Sequence, residues 1–169
     1  MQIPSILLLG NPQLRIISEA VKKEECSTFK PIIQDLHNAM MNFREKYKRG
    51  RAIAAPQIGV MKRILYMHTD KPIVFINPSF EWKSPEMVEL WDDCMSFPEL
   101  LVKVKRHEAV KLSFKDFEWQ NHVWDLTGDL SELLQHEYDH LDGILAVDRA
   151  VDNKSLALYS QKEYIDFSR

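Results

Sequence analysis

Cysteine is scarce in this 169-residue chain, with only Cys26 and Cys94. Two cysteines do not build a disulfide framework, so a reducing, cytoplasmic setting is expected. No apolar run is long enough to cross a bilayer, which excludes a membrane-spanning helix. The apolar stretch Ile6-Leu7-Leu8-Leu9 has no basic region before it and reads as a poor signal peptide. Positive charge is not in excess either. A net charge of −3 and a pI near 6.1 argue against a dedicated nucleic-acid-binding surface. Repeats, low-complexity tracts and linkers are absent, which leaves one domain over residues 1–169, long enough to bury a core without staples.

Against this background, Gln135-His136-Glu137-Tyr138-Asp139-His140 stands out. On a helix, His136 and His140 project from one face one turn apart, a spacing that lets two imidazoles grip one divalent ion. Glu137 then lies beside the ion, where a carboxylate can take a proton from the attacking water. An unselected chain of this size would contain His-Glu-x-x-His in well under about 1% of cases. Asp129-Leu130-Ser131-Glu132 reads as a capping box with Asp129 at the N-cap, and Gly143 fits the left-handed position after the helix. Leu130, Leu133, Leu134 and Leu141 supply apolar packing at helical spacing.

Apolar residues at Ile32, Ile33, Leu36, Met40, Phe43 and Tyr47 predict a long helix over residues 29–47, with Pro31 in its first turn. His37 within it reads as structural or surface. The basic run Lys46-Tyr47-Lys48-Arg49-Gly50-Arg51 reads as a solvated helix end. Ile6 to Leu9 reads as a short strand or extended arm closed by Gly10-Asn11-Pro12. Strands are expected at residues 63–67, 73–78, 101–106, 109–114 and 123–126, with one extended piece over 82–90 and a helical tail over 156–167. This is an α+β fold, with one layer of antiparallel strands wrapped around a central metal-bearing helix.

Two histidines do not complete a metal site. No histidine follows His140, and Asp142, Asp148, Asp152, Glu163 and Asp166 form no ligand pattern. Upstream, His68, His107, His122, Cys26 and Cys94 remain open. A thiolate suits a soft divalent metal, but spacing does not choose between the two cysteines.

Three separated stretches together resemble the peptide deformylase family: Gly50-Arg51-Ala52-Ile53-Ala54-Ala55-Pro56-Gln57, Asp92-Asp93-Cys94-Met95-Ser96, and Gln135-His136-Glu137-Tyr138-Asp139-His140-Leu141-Asp142-Gly143. Phe75-Ile76-Asn77-Pro78 and Leu9-Gly10-Asn11-Pro12-Gln13-Leu14-Arg15 extend the likeness over nearly the whole chain. The resemblance implies Cys94, His136 and His140 as ligands to one divalent ion, natively iron(II), with zinc or nickel able to stand in. It implies removal of the N-formyl group from the starting methionine of new polypeptides. Glu137 would move the proton, and the Gln57 amide with the Met95 backbone N–H would meet the oxyanion. Gly50, Ala52, Ile53, Leu90, Leu133 and Glu132 would line the substrate. The implied partners are N-formylmethionyl peptides and nascent chains, with transient ribosome association but neither membrane nor direct nucleic-acid binding.

The chain departs from the family pattern at several points. Ala52 replaces a glycine, at a cost if that position needs positive φ. Asp92-Asp93 replaces Glu-Gly, with Arg106 as the expected partner of Asp92. Leu101 stands where many members carry a substrate-holding arginine, and Glu132 lies near the apolar methionine pocket. With Arg51 and Asp93, these changes point to an altered preference among formyl-peptides. Two further readings are a metal-binding relative without deformylase activity and a zinc endopeptidase. Retained Glu137 and Gln57 speak against the first, and the missing downstream ligand against the second.

Overall fold

A computed structural model of the chain describes residues 3–167. Residues 1–2, ahead of the apolar stretch read as a poor signal peptide, lie outside the described residues. The arm over Ile6–Leu9 is extended without being a strand. It is tied down where the Leu7 N–H donates to Gln57 O at 2.8 Å and the Leu9 N–H to Ser96 O at 2.8 Å.

Helix α1 (Lys30–Tyr47) follows, with Pro31 in its first turn, where the missing N–H costs nothing. Then come β1 (Ala52–Ala54), β2 (Ile64–His68), β3 (Pro72–Lys83), β4 (Met87–Asp93), β5 (Leu100–His107), β6 (Ala109–Lys115) and β7 (Asn121–Thr127). Helix α2 (Gly128–Leu141) carries the histidine motif, and β8 (Leu156–Leu158) comes last.

The strands form two antiparallel sheets rather than one layer, in the orders β1-β2-β3-β6-β7 and β4-β5-β8. The piece expected over 82–90 is the end of β3, a turn, and the start of β4, because Ser84 Oγ donates to Glu86 O at 2.9 Å and turns the chain. The tail opens as strand β8 and continues as a 3-10 helix over Tyr159–Tyr164.

Strand β2 is buried on both faces. Ile64 and Tyr66 pack with Leu36, Met40 and Phe43 of α1, while Leu65 and Met67 pack with Leu133, Leu134 and Leu141 of α2. Period-two alternation thus places one helix on each side of the sheet. A third cluster, with Leu14, Phe97, Val102, Val104 and Leu145, encloses Cys94 beside the second sheet. His37 of α1 is structural, its Nδ1 2.8 Å from the Tyr66 hydroxyl.

Helix α2 lies between the sheets, and all of its residues from 131 to 141 except Tyr138 are buried. Leu130 faces solvent instead. The expected capping box does not form. Thr127 is the N-cap without a side-chain bond, and the Asp129 carboxylate goes to Arg51, a charged partner that a backbone N–H does not match. The other end agrees with expectation. Gly143 has φ +69, and a Cβ there would stand 2.5 Å from the Arg15 carbonyl oxygen, so no other residue fits.

Candidate active site

Buried polar side chains on α2 need partners, and nearby backbone and charges supply them. Gln135 Oε1 accepts from the His107 N–H at 2.9 Å, and its Nε2 donates to His107 O at 2.8 Å, fixing the helix to β5. Asp139 pairs with Arg106 and, at 2.8 Å, with Arg149. Arg106 also reaches Asp92 at 3.2 Å, as the sequence suggested, and Asp92 accepts from His136 Nδ1–H at 2.7 Å. One arginine therefore ties β4, β5 and α2 together. The Asp92 bond leaves the other nitrogen of His136, Nε2, free to act as a ligand.

Cys94, at the end of β4, meets the two histidines. One donor atom from each of Cys94, His136 and His140 lies within 4.8 Å of the others, and all three residues are buried. Cys94 Sγ is 3.2 Å from His140 Nε2. The remaining upstream candidates are engaged elsewhere. His107 Nδ1 binds Ser84 O at 2.6 Å, His122 binds Asp116 at 2.6 Å, Cys26 Sγ lies 3.6 Å from Phe117 O, and His68 lies beside Tyr66.

The electrostatics suit a cation. Burial pushes the Cys94 thiol up, only partly offset by the charge of His136. Burial would lower His136, but Asp92 and Cys94 outweigh it and hold it well above its ordinary value. His140 is driven well down by burial and by the neighbouring His136 charge. A sulfur and two imidazoles buried close together make a donor set that a divalent ion, which holds the cysteine as a thiolate, satisfies.

Glu137 shares the same cavity. Burial pushes its carboxyl up to about 7, with Asp92 and Glu132 adding to the rise and His136 and Arg51 opposing it. Its Oε2 is buried and has no hydrogen-bond partner among the described residues. Gln57 approaches from the other side. Its Oε1 accepts from the Ala54 N–H at 2.9 Å, which turns Nε2 toward Cys94 Sγ at 3.6 Å and Ser96 Oγ at 3.2 Å. The amide donor is thus aimed at the site by a backbone bond to β1.

The cavity, about 980 Å³, is a cleft between two open strand edges, β1 of one sheet and β4 of the other. Gly50, Ala52, Leu90, Leu133, Glu132, Cys94, Met95, His136 and Glu137 line it. Ile53 does not. It is fully buried in the α1-side core, because successive strand residues face opposite sides and Ala52 takes the cavity side. Leu101 is also fully buried, paired with Asp93 and Ala157. Ala52 has no positive φ. That conformation falls at Gly50, at +112°, so the methyl group carries no backbone strain. The basic run is not a solvated helix end either: Arg49 pairs with Asp93 at 2.9 Å and stacks on Tyr159, and Arg51 pairs with Asp129. Sequence reasoning gave Asp139, Ser96 and Arg49 no role. For Asp139, the available signal was an acidic residue on the buried face of a helix.

A buried Cys-His-His cluster beside a carboxylate, opening on a peptide-sized cleft, defines a metal-dependent hydrolase. The sequence profile described as Polypeptide deformylase matches residues 3–156. A peptide deformylase from Dictyoglomus turgidum is 33% identical over 156 residues, covering 92% of this chain and 97% of that one. One from Pseudothermotoga lettingae is 34% identical over 167 residues, covering 99% and 93%. The crystal structure of peptide deformylase from Thermotoga maritima superposes with a TM-score of 0.81 at 29% identity, covering 90% of this chain and all of that one. That of a peptide deformylase from Synechococcus elongatus in complex with actinonin gives 0.81 at 27%, covering 96% and 86%. The chain belongs to the peptide deformylase family, and its reaction is removal of the N-formyl group from N-formylmethionyl peptides by a divalent metal. Among the described residues no helix is long and apolar enough to cross a membrane.

Proposed function

We propose that residues 1–169 form one catalytic unit in which Cys94, His136 and His140 hold the ion, natively iron(II), while Glu137, Gln57 and Met95 carry the chemistry. The observation that supports this most is the convergence of three buried donors beside a Glu137 oxygen that has no hydrogen bond among the described residues. When bound, the ion supplies a Lewis acid for the formyl carbonyl and acidifies a water. Glu137 takes the proton from the attacking water, helped by a carboxyl pKa raised by burial, and passes it to the departing amine. Gln57 Nε2, preset by its bond to Ala54, donates to the oxygen that becomes negative, together with the Met95 backbone N–H.

The substrate backbone lies extended against β1. The Arg51 carbonyl accepts from the His68 N–H at 2.9 Å, so alternate residues of β1 face β2 and the Ala52 backbone groups face the open edge. A formyl-peptide adds there as a further strand. Leu90 and Leu133 give the cleft an apolar wall. A nascent chain as substrate implies a cytoplasmic setting and transient ribosome association.

Formate release from formyl-Met-Ala-Ser, with iron(II) loaded anaerobically to spare the thiolate-bound ion from oxidation, tests the assignment. Formate without cleavage of internal peptide bonds separates this reading from an endopeptidase and from a binding-only relative.

A further inference from the structure

We propose that Arg49 and Asp93 are positioning residues for the substrate: their ion pair is a strut that sets how far apart the two strand edges of the cleft stand. The inference rests on the deformylase reading and adds to it what keeps the peptide-binding cleft at its working width.

The need for a strut follows from the topology. Strands β1 and β4 belong to different sheets, so no hydrogen-bond ladder fixes the distance between them. A peptide added to the β1 edge lies about 4.8 Å from it and has the β4 edge on its other flank. Backbone hydrogen bonds fail soon beyond their ordinary length, so an edge that drifts by about 1 Å no longer holds the peptide.

Arg49 stands just before β1 and Asp93 ends β4, and both line the cleft. Arg49 Nε lies 2.9 Å from Asp93 Oδ2, and the two side chains are only 14% and 11% exposed, so salt and water screen the pair little. An ion pair between mobile side chains would fix nothing. Here both ends are anchored. Asp93 is held in the β4–β5 ladder opposite Leu101. The Arg49 guanidinium donates through Nη2 to Pro98 O and lies on the Tyr159 ring, 3.5 Å from its centroid. Gly50, next in the chain, is pinned as well, since its carbonyl accepts from Arg44 Nε at 2.9 Å. The position of Arg49 is thereby passed on to β1. Tyr159 comes from the tail and is not part of the cleft lining, so its influence on the cleft runs through Arg49.

The test measures formate release from formyl-Met-Ala-Ser by the full chain loaded anaerobically with iron(II), well below each variant's unfolding midpoint. Arg49→Met and Asp93→Asn should each raise KM on the order of tenfold, with kcat falling less. The double variant should be no worse than the worse single one, because both changes remove the same strut. Tyr159→Ala, which leaves the cleft lining intact, should raise KM about threefold by freeing the guanidinium. A KM within about twofold of wild type in either single cleft variant overturns the proposal, as do losses that multiply in the double variant. Tyr159→Ala at the wild-type KM overturns the tail's part in it. If Arg49→Met does not fold, Arg49→Lys takes its place in the comparison. No formate from the wild type overturns both the proposal and the activity on which it rests, whereas wild-type turnover with unmoved KM values overturns the strut alone.

Discussion

Two side chains in the cleft have environments that set them apart from structural polar groups. Glu137 is buried, with an oxygen that has no hydrogen bond among the described residues, an arrangement that costs stability unless the carboxylate is used. Glu137→Ala should therefore keep full metal occupancy while turnover falls by about 10²–10⁴; metal analysis beside a formate assay checks both. Substantial activity with the metal bound would end its role as the base. Gln57 is oriented by Ala54 so that its amide hydrogens face the site. Gln57→Ala should lower kcat by about 10²–10³, and a loss within about tenfold would remove it from the oxyanion site. The histidine motif made the two imidazoles and Glu137 legible from spacing alone. Cys94 was not legible in that way, because a ligand contributed from a distant strand leaves no periodic trace and a lone cysteine more often packs as a small hydrophobe.

Between elements, the Arg106 pairs with Asp92 and Asp139 hold α2 against β4 and β5. Arg106→Leu removes the cation shared by two buried carboxylates, of which Asp139 keeps Arg149, and should destabilise the fold by about 3–5 kcal/mol, read as a lower urea midpoint. A change under about 1 kcal/mol would show that water or Arg149 already compensates. Periodicity placed α1, the end of α2 and most strands correctly, since each follows a single apolar stripe. It failed where a residue had two possible partners. Asp129 left its expected capping position for Arg51, and the residues around 82–90 divided into two strands because a side-chain bond from Ser84 turned the chain. Ile53 fell outside the cleft for a related reason: the resemblance picks out a segment, and strand alternation then decides which of its side chains face the substrate.

For the molecule as a whole, sequence likeness, fold and site chemistry agree, and the second sheet is the main feature that sequence did not reveal. Sheet count depends on which strands pair, and β4-β5-β8 is completed by a three-residue strand from the tail. Acid should weaken the fold in a defined window. Burial alone would raise the Asp148 carboxyl, but the Arg15 pair and the Leu145 N–H outweigh it and hold it below 3.8. A depressed folded-state value means that the stabilisation is present above the unfolded value and is lost as pH falls through the folded one. The urea midpoint should therefore drop below about pH 4, and Asp148→Asn should flatten that drop; an unchanged slope would exclude this pair as a contributor.

The central claim is that Cys94, His136 and His140 close on one ion. X-ray absorption on the anaerobically iron(II)-loaded protein addresses it most directly. One sulfur and two imidazole scatterers around a single metal per chain, with the sulfur lost in Cys94→Ala, is the predicted result. A first shell without sulfur, or one unchanged by Cys94→Ala, would contradict it.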